Sequence, residues 1–94
     1  MNISIRRYQS PDTLELSRRV QEGFVPLISK SPGFLAYYAI DSGDGNWTSI
    51  SIFETQVEAD NSTNLAVEWA KKNVANLVGS PEATSGKVVA YKVK

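Results

Sequence analysis

Neither cysteine nor histidine occurs among the 94 residues. The first absence excludes disulfides, thiolate nucleophiles and cysteine-ligated zinc or iron–sulfur centres. The second removes the usual general base near neutral pH, the commonest metal-ligating side chain, and the imidazole that holds haem iron in globins. The expectation is a protein without a metal site or bound cofactor. No sign of charge dominates, since ten Lys and Arg balance ten Asp and Glu. Neither sign forms a run, so nothing points to nucleic acid or an anionic membrane as partner. No apolar stretch approaches the roughly 20 residues of a membrane span. The segment from Met1 to Arg7 also lacks a signal peptide's apolar core, so the expected location is cytoplasmic. A chain of this length is one domain, residues 1–94, and leaves a large share of its apolar surface exposed unless it self-associates.

What is present is organised around Ser31 to Glu54. Two runs rich in aromatic and β-branched residues, Phe34 to Ile40 and Trp47 to Phe53, flank Asp41-Ser42-Gly43-Asp44-Gly45-Asn46. Residues of that middle type tolerate the positive φ of tight turns, so the stretch reads as a β-hairpin. In the second run Ile50 and Ile52 alternate with Ser49 and Ser51, giving one greasy face and one small polar face. Upstream, Ile3 and Ile5 alternate with Ser4, Arg6 and Tyr8, which makes Asn2 to Gln9 a first strand.

Two helices separate the strands. The first starts near Ser10-Pro11-Asp12, with either Ser10 or Asp12 as cap, and carries Leu16, Val20, Phe24, Leu27 and Ile28 as one stripe. Gly23 and Pro26 are poor helix-interior residues, so its last turn is expected to kink or loosen. The second helix starts at the capping-box pattern Thr55-Gln56-Val57-Glu58 and runs to Gly79-Ser80-Pro81, burying Leu65, Ala66, Trp69, Ala70, Val74 and Leu77. A polar loop through Gly86 then leads to a last strand, Lys87 to Val93, with Val89, Tyr91 and Val93 on one face.

Strand, helix, strand, strand, helix, strand is the split βαβ order, an α+β, ferredoxin-like fold with a four-stranded antiparallel sheet and both helices on one side. Alternation sends several isoleucines to the other side. A dry outer face calls for a partner, most simply a second copy, so a homodimer through the sheet face is expected.

Over nearly its whole length the chain resembles the antibiotic biosynthesis monooxygenase-like family of the dimeric α/β-barrel superfamily. The resemblance is carried by Pro32-Gly33-Phe34, by the strand Thr48 to Phe53 ending in Phe53-Glu54, and by Ala59, Asn61, Ser62, Leu65, Ala66 and Trp69 of the second helix. It implies a dimer whose sheets close into a barrel, with a cavity in each subunit between sheet and helices. Relatives of this kind include oxygenases that oxidise phenolic or quinone-type molecules with dioxygen and no cofactor, and others that degrade haem. The chain departs from the haem branch, having no counterpart of its axial histidine and Phe53 in place of its tryptophan.

A cofactor-free oxygenase must ionise or polarise a phenol inside a water-excluding pocket. The catalytic candidates are Asn61 as a dipolar stabiliser, Tyr37 (or its neighbour Tyr38) as hydroxyl donor and Trp69 as stacking wall. Ser49, Ser51, Phe53, Asn73 and Phe24 are the candidates for binding a small aromatic or hydrophobic substrate. Arg6 or Arg7 would meet an anionic oxygen. Each has a plainer reading: Trp69 as core packing, Asn61 as an exposed first-turns residue, Arg6 and Arg7 as solvated strand charges. The serines leave room for a ligand unless Trp69 or Phe24 fills it. The alternative function is therefore a non-catalytic dimer that binds a small ligand or is structural. An isomerase or lyase would find few acid–base groups here.

Overall fold

The computed structural model describes all 94 residues. Strand β1 (Asn2–Gln9) leads to helix α1 (Thr13–Arg19), which passes through a π-helical turn (Val20–Phe24) into the short α2 (Val25–Ile28). The hairpin strands β2 (Phe34–Gly43) and β3 (Asn46–Phe53), the long helix α3 (Gln56–Asn73) and the edge strand β4 (Glu82–Lys87) follow. The strands form one antiparallel sheet in the order β2-β3-β1-β4. The helices lie over one face, where Tyr8, Trp47 and Phe53 of the sheet pack with Leu16, Phe24, Ile28, Ala66 and Val74. This is the ferredoxin-like βαββαβ fold expected from the element order.

Local chemistry explains the boundaries. Asp12 caps α1 by accepting from the Glu15 N–H at 3.0 Å, while Ser10 accepts from the Asp12 N–H. Pro26 has no N–H to give to residue 22, and the helix answers with a wider turn in which Val25 N–H reaches back to Val20 O. The loosening expected from Gly23 and Pro26 is this π turn. At α3 the capping box is complete, with Thr55 accepting from Glu58 N–H and the Glu58 carboxylate accepting from Thr55 N–H. Gly33 holds that box against the hairpin. Its φ of +77° is left-handed, its carbonyl accepts from Glu54 N–H, and a Cβ on it would stand 1.9 Å from the Glu58 carboxylate.

Two expectations are corrected. Helix α3 ends at Asn73 rather than running to Gly79, because Val74 leaves helical geometry (φ −135°, ψ 28°); turns then tuck Leu77 into the core. The last strand is Glu82–Lys87, inside the stretch read as a polar loop, and Val88 to Lys94 lie outside the sheet. The reason is register. β4 pairs with β1 from Arg7↔Glu82 to Asn2↔Lys87, and beyond Asn2 only the Met1 carbonyl is left to accept from Val88 N–H. Val89, Tyr91 and Val93 find no strand to join and remain exposed.

The outer sheet face carries the isoleucines as the alternation required. Ile3, Ile52 and Ala36 are adjacent across three strands, and Ile5, Ile50 and Tyr38 form the next row. Tyr38 is 59% exposed and Ile40 47% exposed on that face.

Candidate functional site

The inner sheet face is polar at its centre. Ser4 and Arg6 of β1 and Ser49 and Ser51 of β3 all point under α3, and all four are buried, Arg6 completely. An arginine here follows from strand parity alone, since Arg6 lies two residues from Ser4 and two from Tyr8. Its guanidinium is held only by hydroxyls. Nη2 donates to Ser49 Oγ at 2.8 Å, and Nη1 faces Ser51 Oγ at 3.0 Å, Thr63 Oγ1 at 3.2 Å and Ser4 Oγ at 3.3 Å. Nε–H has no acceptor. Every ion pair of the chain involves Arg18 or Arg19 with Glu15 or Glu22, so no carboxylate neutralises Arg6.

The hydroxyl cage also pairs internally. Ser51 bonds Ser62 at 2.8 Å, Ser4 bonds Thr63, and Ser49 bonds the Tyr37 hydroxyl at 2.8 Å. Tyr37 faces inward because it stands opposite Ser51 in the hairpin register, whereas Tyr38 is on the outer face. Burial pushes the Tyr37 phenol up from its ordinary value despite the opposing pull of Ser49 and Arg6. Burial likewise lowers Arg6, with Tyr37 and Tyr8 acting against that shift. A guanidinium starts so high that it stays cationic, and Tyr37 stays a neutral donor.

Beyond Tyr37 and Ser49 lies an aromatic cavity. Phe24 packs tilted against Trp69 at 5.4 Å and edge-on to Tyr37 at 5.6 Å, ring centre to ring centre. Gly23 makes this possible, since a Cβ there would stand 3.0 Å from Trp69 Cζ2. The remaining space is about 20 Å³ for the centre of a water-sized sphere, with Ser49 as its one non-hydrophobic wall, room for about one water. On the other side of Val20, Tyr37 and Trp47, which line both, an open groove of about 400 Å³ runs between the first helical segment and β2.

Of the residues singled out from the sequence, Tyr37, Ser49, Phe24 and Trp69 meet at this cavity. Ser51 lies behind it in the arginine cage. Phe53 is buried elsewhere, edge-on to Phe34 at 5.8 Å. Asn61 is exposed on α3, and Asn73 is exposed with its amide donating to the Trp69 carbonyl, so neither reaches the cavity: the phase of α3 turns Ser62, Ala66 and Ala70 inward instead. Arg7 is exposed, while Arg6 overturns the solvated reading. Sequence reasoning missed Trp47, whose indole N–H donates to Ser17 Oγ at 3.0 Å. The signal was available, because Trp47 shares the parity of Ser49, Ser51 and Phe53. Ser62, named above among the residues of the resemblance, belongs to the cage, whereas Thr63 was missed; the helix phase places both there.

No family model matches the sequence, and no curated protein matches it. Solved structures do. The NE2512 protein of Nitrosomonas europaea, of unknown function, superposes with a TM-score of 0.77 at 18% identity, over 99% of this chain and 93% of that one. The monooxygenase of the ActVA-Orf6 gene of Streptomyces coelicolor, solved with nanaomycin D, gives 0.72 at 19% identity over 99% and 91%. The haem degrader MhuD of Mycobacterium tuberculosis, solved with two haems in its active site, gives 0.75 at 18% identity over 99% and 100%. The chain therefore shares the fold of these proteins. That fold carries oxygenases, haem degraders and proteins of unknown function alike.

Haem does not fit the residues present. The chain offers no imidazole to the iron, and Arg6 fills the space over the serines.

Proposed function

We propose that the protein is a cofactor-independent oxygenase of small phenol- or quinol-type molecules, acting as a homodimer joined through the outer sheet face. The observation that carries this reading is the one-sided cavity: aromatic walls from Phe24 and Trp69, and a single polar edge made by Tyr37 and Ser49. Once Phe24 and Trp69 part to admit a ring, such a site shields it from bulk water and offers one hydrogen-bonded position for a substrate oxygen. The reaction it suits begins when the ionised substrate gives one electron to dioxygen. The two radicals join at a carbon bearing hydrogen to form a C–O bond, the peroxide anion takes back the proton released on ionisation, and loss of that carbon's proton as the O–O bond breaks leaves a new carbonyl and water. One substrate and one dioxygen become one quinone-type product and one water. Tyr37 supports this by donating to the substrate oxyanion, and Trp69 by stacking on the ring.

Substrate must displace the Phe24–Trp69–Tyr37 packing. The outer groove shares Tyr37, Val20 and Trp47 with the cavity, so rotation of Tyr37 joins the two. A panel of hydroquinones and anthrone-type phenols, followed by oxygen uptake, tests the reading. Uptake is expected for at least one member, with a loss of about tenfold or more in Tyr37→Phe. No uptake above buffer for any member, alongside tight binding of the same compounds, favours a non-catalytic ligand-binding protein. For the assembly, a monomeric mass at micromolar concentration contradicts the dimer.

A further inference from the structure

The cavity has no base. Its walls hold no carboxylate, lysine or imidazole, and its only ionisable groups are the Tyr8 and Tyr37 phenols, both shifted upward by burial. Behind its polar edge stands a buried guanidinium with no anion, one N–H without an acceptor, and a two-bond path to the cavity through Ser49 and the Tyr37 hydroxyl. A cation buried among neutral hydroxyls is an arrangement that burial disfavours and that an anion would complete. We infer that the site takes its ligand as an oxyanion, ionised by the ligand's own acidity, with Arg6 as the positioning charge that selects this form through Ser49 and Tyr37.

This rests on the cavity described above as the ligand site and deepens the proposed function by naming the substrate class: acidic phenols and enols that ionise near neutral pH, rather than simple phenols that would need a base. The charged groups around the path are few. Tyr8 lies on β1 beside Arg6, and α3 contributes only Ser62 and Thr63 to the cage. Asp60 and Ser85, at the far end beyond Ser4 and Thr63, bond each other at the surface. Asp41 stands at the rim of the outer groove, held ionised by Thr13 and by the Gly43 N–H. It opposes an anion at the rim, so selection for the anion has to come from the interior.

Two protonation states of one ligand can be told apart optically. 4-Nitrophenol changes colour on ionisation, and its pH titration in excess protein reports the apparent pKa of the bound molecule. Wild type is expected to hold the bound phenol about one unit or more below the value found in Arg6→Met, and so to prefer phenolate over phenol about tenfold or more strongly than that variant does. Arg6→Lys should recover part of the shift, whereas a purely structural arginine would leave the titration of the bound phenol unmoved. Ser49→Ala keeps the charge but cuts the path, and should raise the bound pKa in the same direction; it also carries the comparison if Arg6→Met does not fold. Equal bound pKa values in wild type, Arg6→Met and Ser49→Ala overturn the inference. So does the absence of 4-nitrophenol binding by wild type at millimolar concentration. Oxygen uptake separates this from the proposed function. Phenolate selection with no uptake removes the oxygenase reading and keeps the anion site, and uptake indifferent to Arg6 does the reverse.

Discussion

Replacing Arg6 by Met tests whether the arginine serves the fold or a ligand. A structural arginine would be the keystone of its cage, and its loss would strand the hydroxyls around it. The hydrogen bonds say otherwise. Without Arg6, Ser49 keeps Tyr37, Ser51 keeps Ser62, and Ser4 keeps Thr63. No buried hydroxyl is orphaned, while the desolvation of a fully buried cation and of its unpaired Nε–H is relieved. Buried ionic groups replaced by apolar residues of similar volume have given changes from neutral to about 1–4 kcal/mol more stable. Arg6→Met is accordingly expected to match wild type or to gain about 1 kcal/mol, which for a domain of this size raises the thermal midpoint by about 4–8 °C. Ser51→Ala should do the opposite, because it withdraws an acceptor from the cation and a partner from Ser62. Its expected loss is about 1–3 kcal/mol. Urea unfolding of the two variants against wild type measures both. A loss of more than about 2 kcal/mol in Arg6→Met would refute the reasoning and make the arginine a structural element.

Gly33→Ala should destabilise the protein by about 2–3 kcal/mol, combining about 1–2 for a left-handed residue with a Cβ and about 1 for the displaced Glu58 cap. Urea unfolding checks it, and a change below about 1 kcal/mol would show that the hairpin and α3 are not locked there. A third expectation concerns alkaline pH. In the unfolded chain phenols titrate near pH 10, whereas burial raises Tyr8 and Tyr37 in the fold. Between the two values the unfolded chain binds fewer protons, so stability present below about pH 10 is lost as pH rises through the folded values. The thermal midpoint should fall across that window, and less steeply in Tyr37→Phe; identical slopes would contradict the burial of this phenol.

The fold was legible because independent signals agreed. Turn residues at 41–46, serine–isoleucine alternation in β3 and the Thr55–Glu58 capping box each fixed one element, and their order left one common topology. The last strand was not legible, because Glu82-Ala83-Thr84-Ser85-Gly86-Lys87 carries no β pattern. It is a strand because β1 offers it an edge, whereas the better-patterned Lys87 to Val93 arrives where β1 has ended. At the site, strand parity correctly grouped Ser4 and Tyr8 with Arg6, yet the general rule that arginines are exposed outweighed it. Only the structure shows that α3 supplies Ser62 and Thr63 to make burial tolerable. Asn61 failed for a different reason. A helix turns 100° per residue, so an error of one position in phase moves a side chain from the cavity to solvent.

The central claim is that an acidic phenol binds between the first helical segment and the sheet, against the Tyr37–Ser49 edge backed by Arg6. The most direct measurement is a titration of isotopically labelled protein with 4-nitrophenol, followed by nuclear magnetic resonance of the backbone, the Trp69 indole and the Arg6 Nε–H. The account predicts shifts concentrated at Arg6, Tyr37, Ser49, Phe24 and Trp69. Shifts confined to Ile5, Tyr38 and Ile50 on the outer sheet face, with the Arg6 and Trp69 signals unmoved, would contradict it.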